Sequence, residues 1–343
     1  MPGKAFTPNP PISSFKQIGF SIKSRNFTNW RKFDYQSIVM ISKSAINRRN
    51  FLLQSAVLFP GSLLAMQRLN EAPASKYKMG LQLFSIREPL SKDVVGTIKQ
   101  VAAIGYEDCE TYGYDPALVK YYGLKAADFK QLLTDHNLIT TSGHYDFTTF
   151  FDKPDDDMMR YVDQCIEGAH VLGQKYITWP WLAPSFRTPD NFRLLTGKLN
   201  KIGERVNKAN LGFAYHNHDF EFVDIGGQTA YNLIMHETDS ALVKLQMDLY
   251  WVMHSSKLSP AQLIAQQPGR FVMWHIKDMD KNNRDYSELG NGSIDFTVIL
   301  PEATHAGLQY YYIEQGGNFA KSPMQSVTDS AVYFKKNLEK YLR

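Results

Sequence analysis

Residues 211–222, LGFAYHNHDFEF, begin as an apolar run and pass directly into His216, Asn217, His218, Asp219 and Glu221. Imidazoles and carboxylates bind borderline divalent ions and move protons near neutrality, so this cluster suits metal-assisted acid-base chemistry. A polar surface turn is the plainer explanation, but three later apolar runs end in the same way. Residues 243–248 (VKLQMD) finish on Asp248, residues 271–278 (FVMWHIKD) carry His275, Lys277 and Asp278, and residues 308–314 (LQYYYIE) finish on Glu314. A surface turn gives no reason for that recurrence.

The elements that must position these side chains alternate from residue 78 onward between short apolar runs and helical periods. Strands are expected at 79–85, 106–110, 138–144, 176–179, 211–215, 243–248, 271–278 and 308–314. Helices are expected from near Ser91 to Gly105, and at 126–136, 157–172, 189–209, 229–238, 260–266, 295–305 and 326–342. Eight such units fit a closed (β/α)8 TIM barrel, which typically takes about 250 residues. An open doubly wound sheet seldom needs eight, and no G-x-G-x-x-G follows the first strand. In a barrel all strand C-termini meet at one mouth, so the four polar strand ends converge on a single site.

The chain has 343 residues, 43% of them apolar, enough for one barrel-sized domain with an extension. Its formal charge of +4 is modest, and Lys and Arg dominate the first 78 residues while Asp and Glu are almost absent there. That argues against a nucleic-acid-binding surface on the folded domain. No stretch after residue 66 has the run of about 20 apolar residues that spans a membrane, so no insertion of the mature domain is expected. Cys109 and Cys165 lack metal-knuckle spacing and read as small buried hydrophobes, with a single bridge between them left open.

Residues 1–39, rich in Pro, Ser, Asn and Lys, read as disordered or as an upstream extension of a chain starting at Met40. In residues 40–65, Arg48-Arg49 precede Phe51-Leu52 and an apolar run ending in small residues at Ala65. This is the pattern of a twin-arginine export signal, followed by a linker at 66–77, and it implies a periplasmic protein.

YHNHDFEF (215–222), MDLYW (247–251), HIKDMD (275–280), ELGNGSIDF (288–296) and YIEQGG (312–317) together resemble the xylose-isomerase-like barrel superfamily, the sugar phosphate isomerase/epimerase group. The resemblance covers residues 78–343. It implies one divalent ion (Mn2+, Zn2+, Co2+ or Mg2+) held by a Glu after strand 5, an Asp after strand 6, a His on strand 7 and a Glu after strand 8. Asp248, His275 and Glu314 match the last three. At the first position this sequence has His216, with Glu221 five residues on, and either side chain fills the role. His218 matches a His often found two places after that Glu and is expected to touch substrate.

Weaker candidates surround these. His144 ends strand 3 and is a substrate contact or a structural His. Gln82 is polar within an apolar strand. Trp179, Trp181 and Trp251 end strands 4 and 6, where an aromatic face stacks on a sugar or simply packs. Asn217 and Asp219 read as turn residues. Lys277 faces the same side as His275 and is a candidate to polarise a substrate oxygen.

The chemistry that follows is proton transfer next to a carbonyl of a sugar or keto-sugar, with Glu314 as base and His216, His218 or Lys277 as acid, Glu221 taking part if it enters the site. Classical epimerisation wants a second carboxylate base at the position where His216 stands, so isomerisation or elimination is the simpler expectation. A lyase, dehydratase or hydrolase acting on keto-glycosides or inosose-like substrates is an alternative reaction. A non-catalytic sugar-binding barrel is a different class of function, and a DNA-repair endonuclease would need a basic groove and more metal ligands.

Overall fold

The computed structural model describes residues 76–342. Eight parallel strands close into a barrel: β1 (Gly80–Gln82), β2 (Asp108–Thr111), β3 (Ile139–His144), β4 (Tyr176–Trp179), β5 (Gly212–His216), β6 (Val243–Asp248), β7 (Met273–Ile276) and β8 (Tyr310–Ile313). Each strand pairs with its chain neighbours, and β8 closes on β1. Residues on both faces of these strands are buried, as in any parallel sheet wrapped by helices. The expected TIM barrel is therefore the observed fold. The expected export segment, residues 40–65, lies outside the described residues, as do residues 1–39 and most of the linker. Within the described chain, packing begins at Tyr77, whose ring meets Tyr311 edge-on at 6.5 Å.

Helix ends follow the local chemistry. Asp93, Thr188, Thr229 and Ser322 each accept a hydrogen bond from a backbone N–H in the first turn that follows. Ser259 and Gln262 form a reciprocal capping box ahead of Pro260–Gln266. Where elements differ from expectation, three have a local cause or a clear change of winding. β1 stops at Gln82 because its side-chain oxygen accepts from Phe84 N at 3.0 Å and turns the chain into a short helix. The helix expected over 295–305 is broken into Phe296–Ile299, Leu300–Glu302 and Ala303–Ala306 around Pro301, which has no N–H to give. The last helix ends at Tyr333 and continues as wider and then tighter turns to Leu342. Cys109 and Cys165 are both buried and unbridged.

Register sets the layer beneath the mouth. Gln82 lies beside Glu110, His216 beside Gln246, and Asp248 beside His275. Between β2 and β3 the register slips by one residue after Cys109, so that Glu110 pairs with Ser142 while Thr141 is left over. Such bulges re-aim side chains at barrel rims. The leftover Thr141 Oγ1 bonds both Asp108 and Tyr312 across the barrel floor.

Asp278, the last residue of HIKD, does not enter the mouth. Its carboxylate accepts backbone N–H groups from Met279 (2.8 Å), Gly290 (3.0 Å), Gly292 (3.2 Å) and Ile294 (3.1 Å). A Cβ at Gly292 would strike this carboxylate, which explains the glycine in ELGNGSIDF. The loop so held carries Tyr286 to the rim. Asp278→Ala should cost about 3 kcal/mol, since hydrogen bonds to a charged acceptor contribute about 1.5–3 kcal/mol each and some donors regain water. Chemical denaturation measures this, and a loss under about 0.5 kcal/mol, the level of an ordinary surface substitution, would refute the role.

Candidate active site

At the C-terminal end of the barrel lies a cavity of about 750 Å³. Glu314, Lys277, His216, His144, His218 and Trp251 line it, all of them candidates from the sequence. Asp248 and His275 sit directly behind this lining with no exposed surface. The strand ends therefore bring the expected cluster together, with one member turned away. Glu221 accepts from Tyr215 Oη at 2.7 Å and from His218 N at 2.8 Å, so both its oxygens brace the loop after β5. Burial pushes its carboxyl up to about 7.

The residue that sequence reasoning missed is Glu110, at the end of β2. It is fully buried and surrounded by donors: Gln82 Nε2 at 2.6 Å, Gln246 Nε2 at 2.6 Å, His275 Nε2 at 2.5 Å and His144 Nε2 at 3.2 Å. Burial alone would raise its pKa, but His144 and His275 outweigh it and hold the carboxyl well below its usual range. A signal was present, since the second expected strand also ends on a ligand-type residue, like the four that were noticed. Gln82, noted only as a polar oddity, proves to be one of its clamps.

Glu110 also orders the histidines. Because Gln246 gives its amide nitrogen to Glu110, its oxygen must accept, and it receives His216 Nδ1 at 2.9 Å and His144 Nε2 at 2.7 Å. His216 is then protonated on Nδ1, leaving the lone pair of Nε2 free, 3.7 Å from Asp248 Oδ2. Burial, with His275, His218, His144 and Lys277 nearby, lowers its pKa well below the usual value and keeps it neutral. His218 is neutral for the same first reason, its pKa pushed down to about 3 by burial.

Two cations balance the carboxylates. Lys277 Nζ donates to Asp248 Oδ2 at 2.9 Å and to Glu314 Oε2 at 2.7 Å. Burial opposes its charge, yet these two carboxylates raise its pKa. His275 lies between Glu110 on Nε2 and Glu314 on Nδ1, the latter at 2.9 Å. Burial would lower its pKa, but both carboxylates carry it up to about 10. Glu314 in turn is held well below its usual range, burial being outweighed by Lys277 and His275.

The donor set fits a divalent ion. One ligand atom each from Asp248, His275 and Glu314 lies within 4.8 Å of the others, and His144, His216 and His275 form a second such group. Mixed imidazole and carboxylate donors accept several first-row ions. Glu110 on His275 Nε2 is the outer carboxylate that usually orients and strengthens an imidazole ligand, leaving Nδ1 to face Asp248 and Glu314.

The weaker candidates separate. Trp179 is fully buried, its indole N–H bonded to the Trp181 carbonyl, and belongs to the core. Trp181 and Asp219 line the cavity. Asn217 is buried and accepts from Asp248 N at 3.1 Å, tying the loop after β5 to β6. Asp248 Oδ1 accepts from Trp251 N at 3.2 Å and so caps the short helix Leu249–Ser255.

Residues 98–318, well over half the chain, match the model of the family described as xylose isomerase-like TIM barrel. A sugar phosphate isomerase/epimerase from Parabacteroides distasonis is 24% identical with a TM-score of 0.67, covering 78% of this chain and 100% of that one. The IolI protein with a bound zinc atom is 15% identical with a TM-score of 0.59, covering 77% and 99%. L-ribulose 3-epimerase is 16% identical with a TM-score of 0.58, covering 77% and 95%. At these identities the likeness establishes the fold. No curated protein matches by sequence.

The Glu110–His275 pair has a pH signature in metal-free protein. The folded pKa of His275 is raised to about 10 from an ordinary 6.5, so its stabilisation is complete below about 6.5 and is lost as pH rises through about 10. Melting temperature measured in chelator should fall across that window, and Glu110→Gln should flatten the fall. Glu110→Ala, which removes one of the two carboxylates that pair with the buried imidazolium and leaves its Nε2 without an acceptor, should cost about 3 kcal/mol. A Glu110→Gln profile parallel to that of the wild type would remove Glu110 from this role.

Proposed function

The chain belongs to the xylose isomerase-like TIM barrel family, and on that premise we propose that it is a divalent-metal-dependent carbohydrate enzyme moving a proton next to the carbonyl of a sugar or keto-sugar. The observation that carries this reading is the meeting of Asp248, His275 and Glu314 within ligand distance beneath a cavity lined by His216 and Lys277. The names of the structural neighbours, a sugar phosphate isomerase/epimerase, an L-ribulose 3-epimerase and a zinc-bound IolI, point the same way.

Asp248, His275 and Glu314 would hold the ion, with His216 Nε2 as fourth donor, since Glu221 is engaged within its own loop. When bound, the ion supplies a Lewis acid that polarises the substrate's carbonyl and lowers the barrier to breaking the adjacent C–H bond. Glu314, ionised and at the cavity wall, accepts the carbon-bound proton while the electron pair of that bond moves onto the carbonyl oxygen. Lys277, on the floor, donates a hydrogen bond to that oxygen. As the oxygen draws Lys277 away from Glu314, the carboxylate becomes more basic, which suits the moment of proton transfer. Returning that proton to the former carbonyl carbon, while the hydroxyl proton of the carbon that lost it passes to the former carbonyl oxygen, moves the carbonyl by one position and gives isomerisation.

Elimination or hydrolysis of a keto-glycoside is the second reading. Like isomerisation it needs only one carboxylate base, which agrees with the neutral imidazole of His216 at the place where two-base epimerisation calls for a carboxylate. The protein is further proposed to be exported by the twin-arginine route, on the strength of Arg48-Arg49 and the apolar run to Ala65.

Asp248→Ala and His275→Ala should each lower bound metal well below one ion per chain by elemental analysis; undiminished stoichiometry would place the ion elsewhere. Glu314→Gln should reduce turnover by at least about 10²-fold, the scale of a lost general base. Wild-type protein in D2O should exchange label into the carbon beside the carbonyl. Near-normal rates in a metal-loaded Glu314→Gln variant, with no exchange at that carbon, would end the proton-transfer reading. Replacing Arg48 and Arg49 with Lys should leave precursor in the cytoplasm, and normal export of that variant would exclude the twin-arginine route.

A further inference from the structure

The cavity continues well beyond the groups that the proposed reaction needs. Its volume of about 750 Å³ stands high in the range of roughly 300–1,000 Å³ that accommodates drug-sized ligands, and a single hexose is far smaller than those. The reacting groups occupy only the floor. From His216 the wall steps outward through His218 to Trp181, with ring-to-ring distances of 4.9 and 5.3 Å. Trp251 stands beside His218 at 5.7 Å.

This outer wall is unfinished in its hydrogen bonding. Among the described residues six buried side-chain polar atoms have no partner, and three of them, Arg187 Nη2, His218 Nδ1 and Trp251 Nε1, belong to residues lining this cavity. Native structures rarely leave such groups unmatched without a ligand or water to receive them. Arg187 is also fixed in place, its guanidinium 4.3 Å from the Trp181 ring centre and 3.7 Å from that of Phe220, with Nε donating to the Leu182 carbonyl at 2.9 Å. A preset donor of this kind recognises a ligand without having to be ordered first.

The charge around the outer half speaks against an anion. The exposed carboxylates of Asp219 and Asp146 line the cavity together with Arg187, and Lys277 on the floor is already held between Asp248 and Glu314. A phosphate would meet more carboxylates than free cations. Hydroxyl groups suit the wall better, because they can accept from the Arg187 guanidinium, donate to Asp146 and Asp219, and leave a ring face to lie on the exposed Trp181.

We propose that the outer half of the cleft is a second sugar subsite, so that the ligand is a neutral glycoside of two sugar rings, not a free monosaccharide or a sugar phosphate. The inference rests on the proposed reaction only in placing the reacting ring on the floor, near Glu314 and Lys277.

Titration calorimetry on the full chain tests it, with glucose, galactose and mannose, their α- and β-linked disaccharides, the matching p-nitrophenyl glycosides, and glucose 6-phosphate. At least one disaccharide should bind about tenfold or more tighter than its parent monosaccharide, the scale of one well-placed stacked and hydrogen-bonded ring. Trp181→Ala and Arg187→Met should each bring that ratio toward one. A p-nitrophenyl glycoside gaining as much as the disaccharide, with the gain unaffected by Arg187→Met, would mean an aromatic aglycone site and would overturn the sugar assignment. The proposal also falls if no disaccharide exceeds its parent, or if glucose 6-phosphate binds more tightly than glucose. Solvent exchange on the same ligands judges the reaction separately: exchange on monosaccharides with no disaccharide gain refutes the second subsite alone, whereas disaccharide binding with no exchange on any ligand refutes the reaction alone.

Discussion

A carboxylate with no exposed surface inside a barrel must be met by donors on every side, and Glu110 fixes the positions of the groups that meet it. Removing one partner of a buried charge is far more costly than the pair is stabilising, so the arrangement around Glu110 holds as a unit. Gln82, Gln246, His144 and His275 come from four different strands and converge on its two oxygens. Through Gln246 the same carboxylate decides which nitrogen of His216 carries the proton. A residue outside the cavity lining thus determines the chemical state of one that faces the ligand.

Above this layer the charges nearly balance. Three carboxylates, Glu110, Asp248 and Glu314, are set against Lys277 and the raised imidazole of His275. Lys277 links the carboxylates at the ends of β6 and β8, while Asp278, its immediate neighbour, faces the other way and gathers the backbone of the following loop. Adjacent residues of one short segment therefore face the cavity and the supporting loop respectively. The division follows from the alternation of side chains along an extended chain.

The fold is shared with solved structures only 24% identical or less, and a barrel of this kind hosts many reactions. The chemistry that this barrel's mouth can offer rests on few positions. His216 brings a neutral imidazole to the end of β5, and Glu221, the nearest carboxylate, is withdrawn into its loop by Tyr215 and the His218 amide. The aromatic outer wall and the preset Arg187 lie on the loops after β4, β5 and β6, the part of a barrel in which specificity varies most freely.

The barrel and most of its mouth were legible in the sequence because both rest on local signals. Parallel strands buried on both faces read as continuous apolar runs, helix caps read as single residues, and the polar ends at His216, Asp248, His275 and Glu314 follow directly from those runs. Boundaries were less legible where a side chain competed for the backbone, as Gln82 does at the end of β1 and Pro301 within the broken helix. The role of Glu110 could not be read, since its meaning comes from partners 28, 136 and 165 residues away in the chain. Nor could the sequence choose between His216 and Glu221, five residues apart on one loop. Only the folded chain decided that one faces the cavity and the other its own backbone, because the direction of a loop side chain is set by the donors that tertiary packing brings within reach.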